Sequence, residues 1–274
     1  MRWWRRKRLM VVTGGSGFLG RHLLTASEAG GWELFAPGSQ SIDVRRRELV
    51  VHGISGFKPN VVVHLAYRKH ERSTIVDGSA HVAEAAAACG ARLIHFSTDM
   101  VFAGRHDAYR ESDATDAVID YGRWKAEAEA AVAAEHPGAV IVRTSLMYGT
   151  EHVSPQQHDV EAAIAGRQPM TFFTDEFRCP AHAGDIADAV VALASMPEVA
   201  GPLHVAGPEL LSRAQLAQGF AIAMGYDPAR VPVGPTPASA ATTRPSCLHL
   251  DTLLAASLGI RCRSLADALR LPKG

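Results

Sequence analysis

The eight residues Thr13-Gly14-Gly15-Ser16-Gly17-Phe18-Leu19-Gly20 restrict the possible folds more than any other stretch of the 274-residue chain. They follow the apolar run Leu9–Val12, which reads as a strand, and they open a helical pattern over Phe18–Glu28. Glycines at 14, 17 and 20 permit a tight turn and close backbone approach, and a helix N-terminus presents free N–H groups with partial positive charge. Placed between a strand and a helix, the pattern predicts a pyrophosphate-binding turn of the dinucleotide type, with Gly14, Ser16 and Gly17 at its centre. A nucleoside-triphosphate P-loop needs Gly-Lys-Ser/Thr, and no lysine stands near.

The rest of the first half repeats the strand–helix rhythm. Glu33–Ala36 reads as a weak strand, Val61–Leu65 as a strong one, Val82–Cys89 as helix, Arg92–Ser97 as strand, Tyr121–Glu135 as helix and Ala139–Ser145 as strand. Continuous apolar runs such as Val61-Val62-Val63 suit parallel strands covered on both faces. The predicted fold class is therefore α/β, a doubly wound parallel sheet with a smaller mixed α/β lobe. The pattern loosens after Tyr148, and Asp185–Met196 and Leu203–Ala206 read as a helix and strand returning to the sheet. The expected division is 1–148 with 184–206 for the dinucleotide-binding part, and 149–183 with 207–274 for the substrate lobe.

Charge excludes some partners. There are 28 Lys+Arg and 28 Asp+Glu, so whole-molecule attraction to nucleic acid or to an anionic membrane is not expected. Arg2, Arg5, Arg6, Lys7 and Arg8 precede the first acid, Glu28; setting them aside leaves 23 basic against 28 acidic residues, a body of about −5. The apolar stretch behind that basic start, Leu9–Val12, is too short for a secretory signal. Cys89, Cys179, Cys247 and Cys262 have no C-x-x-C spacing and are expected as reduced thiols of a cytoplasmic protein. A homodimer is left open.

Only five basic residues are lysines, and Lys125 stands four after Tyr121 on one face of a predicted helix. An ammonium beside a phenol favours the phenolate and makes the phenol a usable acid–base group for a carbonyl or alcohol oxygen. Upstream, Thr98 stands in the stretch Phe96-Ser97-Thr98-Asp99-Met100-Val101-Phe102-Ala103-Gly104, at the carboxyl edge of a predicted parallel strand, where ligands bind in such sheets.

Thr13–Gly20, Phe96–Gly104, Tyr121–Lys125 and Arg143-Thr144-Ser145 together resemble the extended short-chain dehydrogenases/reductases. Within them the chain is most similar to the dTDP-4-dehydrorhamnose reductase (sugar nucleotide-binding) family. Asp175-Glu176-Phe177-Arg178-Cys179-Pro180, Arg244-Pro245 and Leu250-Asp251-Thr252 extend that similarity along nearly the whole chain. The resemblance implies an NAD(P)H-dependent reduction of a nucleotide-linked keto sugar. It makes Tyr121 the proton donor, Lys125 the group that tunes it and holds the nicotinamide ribose, and Thr98 the substrate-orienting hydroxyl. It also places Gly17-Phe18-Leu19, Asp43-Val44 and Leu65-Ala66-Tyr67 along the cofactor, and Asp99, Met100, Leu146 and Arg244 on the substrate side, with Arg244 meeting phosphate.

Four positions depart from the family pattern: Met100 replaces an aromatic residue, Leu146 a tryptophan, Trp124 a small hydroxyl residue, and Asp120 precedes Tyr121. An acidic metal-binding segment after Tyr67 is missing, so no metal is expected. Dehydratases of this superfamily carry an Asp-Glu pair where this chain has Asp99-Met100, which argues against dehydration and leaves epimerisation as an alternative. The family also contains a regulatory subunit of methionine adenosyltransferase, so a non-catalytic cofactor-binding role is a further alternative. The end of the second strand, Ala36-Pro37-Gly38-Ser39-Gln40-Ser41, has no carboxylate for a ribose 2′-hydroxyl; with Ser39, Ser41 and Arg21 near in sequence, NADP(H) is preferred over NAD(H). His64 and His95 are expected as satisfied core imidazoles, His182 with Asp185 as a helix cap, and Arg45-Arg46-Arg47 as a solvated helix face.

Overall fold

The computed structural model describes residues 8–239 and 244–271, so of the basic N-terminal run only Arg8 is among the described residues. In chain order the elements are β1 (Arg8–Thr13), α1 (Phe18–Ala29), β2 (Trp32–Phe35), α2 (Arg47–Phe57), β3 (Val61–His64), α3 (Arg72–Ile75), α4 (Asp77–Ala88), β4 (Arg92–Thr98), a 3-10 turn (Asp99–Val101), β5 (Arg105–Tyr109), α5 (Asp120–Glu135), β6 (Val140–Thr144) and β7 (Met147–Tyr148). There follow α6 (Pro155–Ile164), β8 (Phe172–Phe173), β9 (Phe177–Arg178), β10 (Ala181–His182), α7 (Ala183–Leu193), β11 (Gly201–His204), β12 (Leu211–Ser212) and α8 (Arg213–Ala223). A second 3-10 turn (Pro228–Arg230), β13 (Val233–Gly234), β14 (Leu248–Leu250), α9 (Leu253–Ser257) and α10 (Leu265–Leu269) complete the chain.

Six strands form the expected central parallel sheet, in the order β11-β6-β4-β3-β1-β2. β1 pairs parallel with both β2 and β3, and β3 with β4. Strand order reverses at β1, and at such a reversal the crossover connections leave on opposite faces and open a crevice at the carboxyl ends. Val61, Val62 and Val63 are buried, as a strand covered on both faces requires.

The chain divides into two compact units. The first comprises Met1–Ser97, Trp124–Val142 and Ala187–Pro202; the second comprises Thr98–Arg123, Arg143–Ile186 and Leu203–Gly274. Thr98–Arg123 and Arg143–Tyr148 thus group with the later part of the chain. One core of the first unit joins Val50 and Ile54 of α2, Val82, Ala83, Ala85 and Ala86 of α4, and Val62 and Leu93 of the sheet. The second unit has its own core, in which Tyr148, Val160, Phe172, Leu216, Phe220 and Leu265 meet. Each such aliphatic or aromatic side chain contributes roughly 1.5–3 kcal/mol by leaving water.

Helix α2 is a tertiary product. Its two glycines, Gly53 and Gly56, each cost about 1 kcal/mol of helix propensity. A Cβ on Gly53 would come within 2.8 Å of the Ile42 side chain, and one on Gly78 of α4 within 2.9 Å of Val44. The small residues let these helices approach the loop before α2, and burial of Val50 and Ile54 offsets the weak propensity. This corrects the reading of Arg45-Arg46-Arg47 as one helix face, because α2 begins only at Arg47. Arg45 binds Asp43 and Glu71, and Arg47 binds Glu84.

The paired strand histidines divide in their satisfaction. His64 Nδ1 lies 2.6 Å from Thr13 Oγ1 and its Nε2 lies 3.1 Å from Ser79 Oγ, whose own proton goes to the Ile75 carbonyl. A ring protonated on Nε2 and accepting from Thr13 on Nδ1 satisfies all three groups. The expectation fails for His95: its ring lies 5.4 Å from that of His64, tilted by 30°, and both its nitrogens are buried without a hydrogen-bond partner among the described residues. Burial, reinforced by the nearby Lys125 charge, lowers the His64 pKa to about 3 and holds His95 well below its usual value.

No helix among the described residues is long and apolar enough to cross a membrane, and the four cysteines are free thiols. Folded-state histidine pKa values below the unfolded 6.5 mean that the unfolded chain binds more protons as pH falls. The stability tied to the neutral rings is complete above about pH 6.5 and is lost progressively toward about pH 3. Guanidinium midpoints measured from pH 7.5 to 4.5 are expected to fall across that window. His95→Leu should flatten the slope, and an unaltered slope in that variant contradicts the assignment.

Candidate functional site

In the first unit, the glycine turn is packed against the chain leaving β3. Gly14 has φ +74°, and a Cβ there would lie 2.7 Å from the backbone N and Cα of Ala66. A Cβ on Gly15 would meet that of Ala36 at 2.5 Å, and one on Gly20 would meet the Gly15 carbonyl at 2.1 Å. The turn therefore closes through backbone contact, bringing Gly14, Leu65 and Ala66 together at the carboxyl ends of β1 and β3. Gly17 is the N-cap of α1 and offers no side chain to the first-turn N–H groups, and no acid stands in that turn. Ser16 and Gly17 are exposed, and Leu19 is buried in the core. A cradle of bare backbone and unclaimed helix N–H groups is what a pyrophosphate requires, and the residues present fit a dinucleotide.

Asp43 and Val44 stand in the loop between β2 and α2. Val44 is buried, and its carbonyl accepts from His81 Nδ1 at 2.9 Å. The Asp43 carboxylate takes a bidentate hydrogen bond from Arg45, which lowers its pKa to about 2. Its charge is therefore answered within the protein.

Lys125 is 5% exposed. Its Nζ donates to the Phe96 carbonyl at 2.9 Å and stands 5.0 Å from the centre of the Tyr67 ring. Burial lowers its pKa to about 8, against the raising effect of the Glu129 carboxylate. Tyr121, half-buried, precedes it by one turn of the same helix α5.

In the second unit, Thr98 ends β4 and opens the 3-10 turn. Its hydroxyl accepts from Met100 N at 3.2 Å and donates to Asp99 Oδ1 at 3.1 Å. Asp99 is buried; its other oxygen accepts from Ser145 Oγ at 2.6 Å, and burial raises its pKa against the pull of Arg178. The first turn of α5 lies directly on this turn, since a Cβ on Gly122 would come within 2.0 Å of the Met100 carbonyl. Gly122 thereby sets how closely the turn of α5 that carries Tyr121 approaches the 3-10 turn. Leu146 packs, partly buried, against the apolar core of this unit.

Arg244 is drawn to Glu176, Nε to Oε2 2.7 Å, with its guanidinium 5.2 Å from the Phe173 ring. The buried Arg178 holds the other Glu176 oxygen at 3.1 Å. Arg213 joins them; burial lowers its pKa, and Glu176 acts against the combined repulsion of Arg178 and Arg244. Glu176 stands among these three guanidiniums, Asp159 also acts on Arg213 and Asp99 on Arg178, and the half-exposed Arg244 is the member open to an anion. Sequence reading found Arg244 but missed Arg213, which is the first residue of α8. The signal was present, because a cation at a helix N-terminus opposes the macrodipole and calls for a separate reason. It also missed Ser145 as the partner of Asp99, a contact across 46 residues that no local pattern marks.

The model of the RmlD substrate binding domain family matches residues 7–270. The dTDP-4-dehydrorhamnose reductase of Mycolicibacterium smegmatis is 32% identical over 273 residues, covering 93% of this chain and 84% of the relative. Methionine adenosyltransferase 2 subunit beta of Bos taurus is 28% identical over 288 residues, covering 94% and 84%. In fold, the chain is similar to a dTDP-4-dehydrorhamnose reductase from Bacillus anthracis in complex with NADP, with TM-score 0.86 at 21% identity over 97% of this chain and 98% of that one.

Gly14→Ala combines a left-handed backbone with a backbone collision at Ala66. It is expected to cost about 2 kcal/mol or more in urea unfolding and to abolish tight NADPH binding by fluorescence titration. Wild-type affinity in that variant contradicts the close-approach argument.

Proposed function

This chain belongs to the RmlD substrate binding domain family, and on that footing we propose that it is an NADPH-dependent reductase of a nucleotide-linked keto-deoxysugar. The observation that carries the reading is the buried ammonium of Lys125, bonded to the Phe96 carbonyl one helical turn from Tyr121. Burying a lysine costs solvation that a purely structural helix residue has no reason to bear.

In this reading the Tyr121 phenol gives its proton to the keto oxygen as that carbon becomes an alcohol carbon. The Lys125 ammonium stabilises the phenolate left behind and holds the ribose hydroxyls of the cofactor. Thr98 orients the keto oxygen by turning its hydroxyl proton from Asp99 Oδ1 to that oxygen when the substrate binds, while Ser145 continues to hold the other Asp99 oxygen. When bound, NADPH supplies the hydride. Gly14, Ser16, Gly17 and Phe18 cradle its pyrophosphate, and Leu65, Ala66 and Tyr67 line its path. Arg244, set by Glu176 and Phe173, takes a phosphate of the nucleotide, with Arg178 and Arg213 adding charge. NADPH is favoured over NADH because β2 ends at Phe35 and no acid follows directly to accept from a ribose 2′-hydroxyl.

Tyr121→Phe is expected to lower kcat by about 10²–10⁴-fold while leaving NADPH affinity within a small factor. The assay follows loss of absorbance at 340 nm with a panel of nucleotide 4-keto sugars, and undiminished turnover overturns the assignment. Arg244→Ala should raise KM about tenfold with a smaller change in kcat, as expected when a charge-assisted phosphate contact is lost. An unchanged KM removes Arg244 from the substrate side.

A second reading, a cofactor-binding subunit of another enzyme, is favoured by the similarity to methionine adenosyltransferase 2 subunit beta together with Met100, Trp124 and Leu146 at substrate-side positions. Tight NADPH binding with no oxidation of NADPH across the panel would select it.

A further inference from the structure

Glu129 is a carboxylate that the proposed reaction does not use, yet it is 6% exposed in the same unit as Lys125 and one helical turn beyond it on α5. Ser97, itself buried, donates its hydroxyl to Glu129 Oε1. Phe96, the residue before Ser97, accepts the Lys125 ammonium through its carbonyl. Consecutive residues of β4 therefore hold consecutive turns of one face of α5, the first by a lysine and the second by a carboxylate.

The surroundings of Lys125 explain what a buried acid would do there. Facing the ammonium are His64 from β3, His95 from β4 and Tyr67 from the chain after β3. Tyr121 precedes it by one turn on its own helix, and Glu129 follows by one. Both histidines are held neutral by burial and supply no negative charge. The Phe96 carbonyl and the Tyr67 ring offer a dipole and a quadrupole. Glu129 is the group in this set positioned to balance a full positive charge, and it acts through space, one turn away.

We propose that Glu129 is a positioning residue for the Lys125 ammonium: held by Ser97, its carboxylate keeps that lysine charged inside the first unit. It touches neither the cofactor nor the substrate in the proposed reaction, and its effect passes through Lys125. The inference deepens the reductase reading by naming what keeps its lysine protonated at neutral pH.

Two measurements test it, one of them independent of turnover. Because the chain has five lysines, Lys7, Lys58, Lys69, Lys125 and Lys273, the ¹³Cε resonances of labelled lysine are few, and Lys125→Met assigns the relevant one. In the wild-type protein that resonance is expected to titrate near 8. In Glu129→Gln, which keeps shape and removes charge, its midpoint should fall by about one pH unit or more. The alkaline limb of kcat should move down by the same amount, a change that a packing role alone does not produce. If Glu129→Gln does not fold, Ser97→Ala is read in the same way, with a smaller downward shift expected. An unchanged Lys125 midpoint in the folded variant overturns the proposal. Absence of turnover in the wild type overturns the reductase reading instead and leaves the resonance titration to decide the role of Glu129.

Discussion

Lys125 donates to the carbonyl of Phe96, and this hydrogen bond fastens helix α5 to the carboxyl end of strand β4 inside the first unit. A carbonyl at the end of a parallel strand is one of the few acceptors available so deep, because the ladder no longer consumes every backbone group there. The ammonium has left water, and burial brings its pKa down to about 8. The helix that carries it also carries Tyr121, so the position of the phenol follows from where the lysine is anchored. Thr98 follows Ser97 directly in β4, so the strand that supplies the acceptor also delivers the hydroxyl.

A second constraint is steric. Around Gly14, Gly15 and Gly20 the backbone approaches other atoms so closely that no Cβ would fit. The same device recurs at Gly122, where the first turn of α5 rests on the Met100 carbonyl. In both places a glycine gains closeness at the expense of conformational entropy. The two glycine contacts lie in different units, a phosphate cradle in the first and the seat of the first turn of α5 on the Met100 carbonyl in the second.

Polar burial follows a common logic on both sides. Asp99, Glu176 and Lys125 are each buried, and each is met by a group of complementary charge or hydrogen-bonding sense: Ser145 and Thr98, Arg178 and Arg244, and the Phe96 carbonyl. His95 is one of several exceptions, a neutral ring whose two nitrogens, like the Trp32 indole nitrogen and the Thr144 and Tyr148 hydroxyls, have no hydrogen-bond partner among the described residues. Such an unmatched group costs stability of the order of 1–3 kcal/mol. Burial, reinforced by the nearby Lys125 charge, keeps both rings uncharged.

What could be read from the residues alone was what short-range physics dictates. The glycine turn, the apolar run of β3, the Tyr121–Lys125 spacing and the placing of Thr98 at a strand end each depend on a few neighbouring residues. The α/β class and the resemblance to a reductase family followed from their order. Tertiary structure decided the rest. Helix α2 exists because Val50 and Ile54 find a core that outweighs two glycines, which no local propensity reveals. Arg213 joins Glu176, Ser145 reaches Asp99, and Ser97 reaches Glu129 only when segments distant in sequence are folded together. Local geometry repeats along a chain and can be read from it; the pairing of buried charges depends on which strands and helices become neighbours, and only the packed sheet determines that.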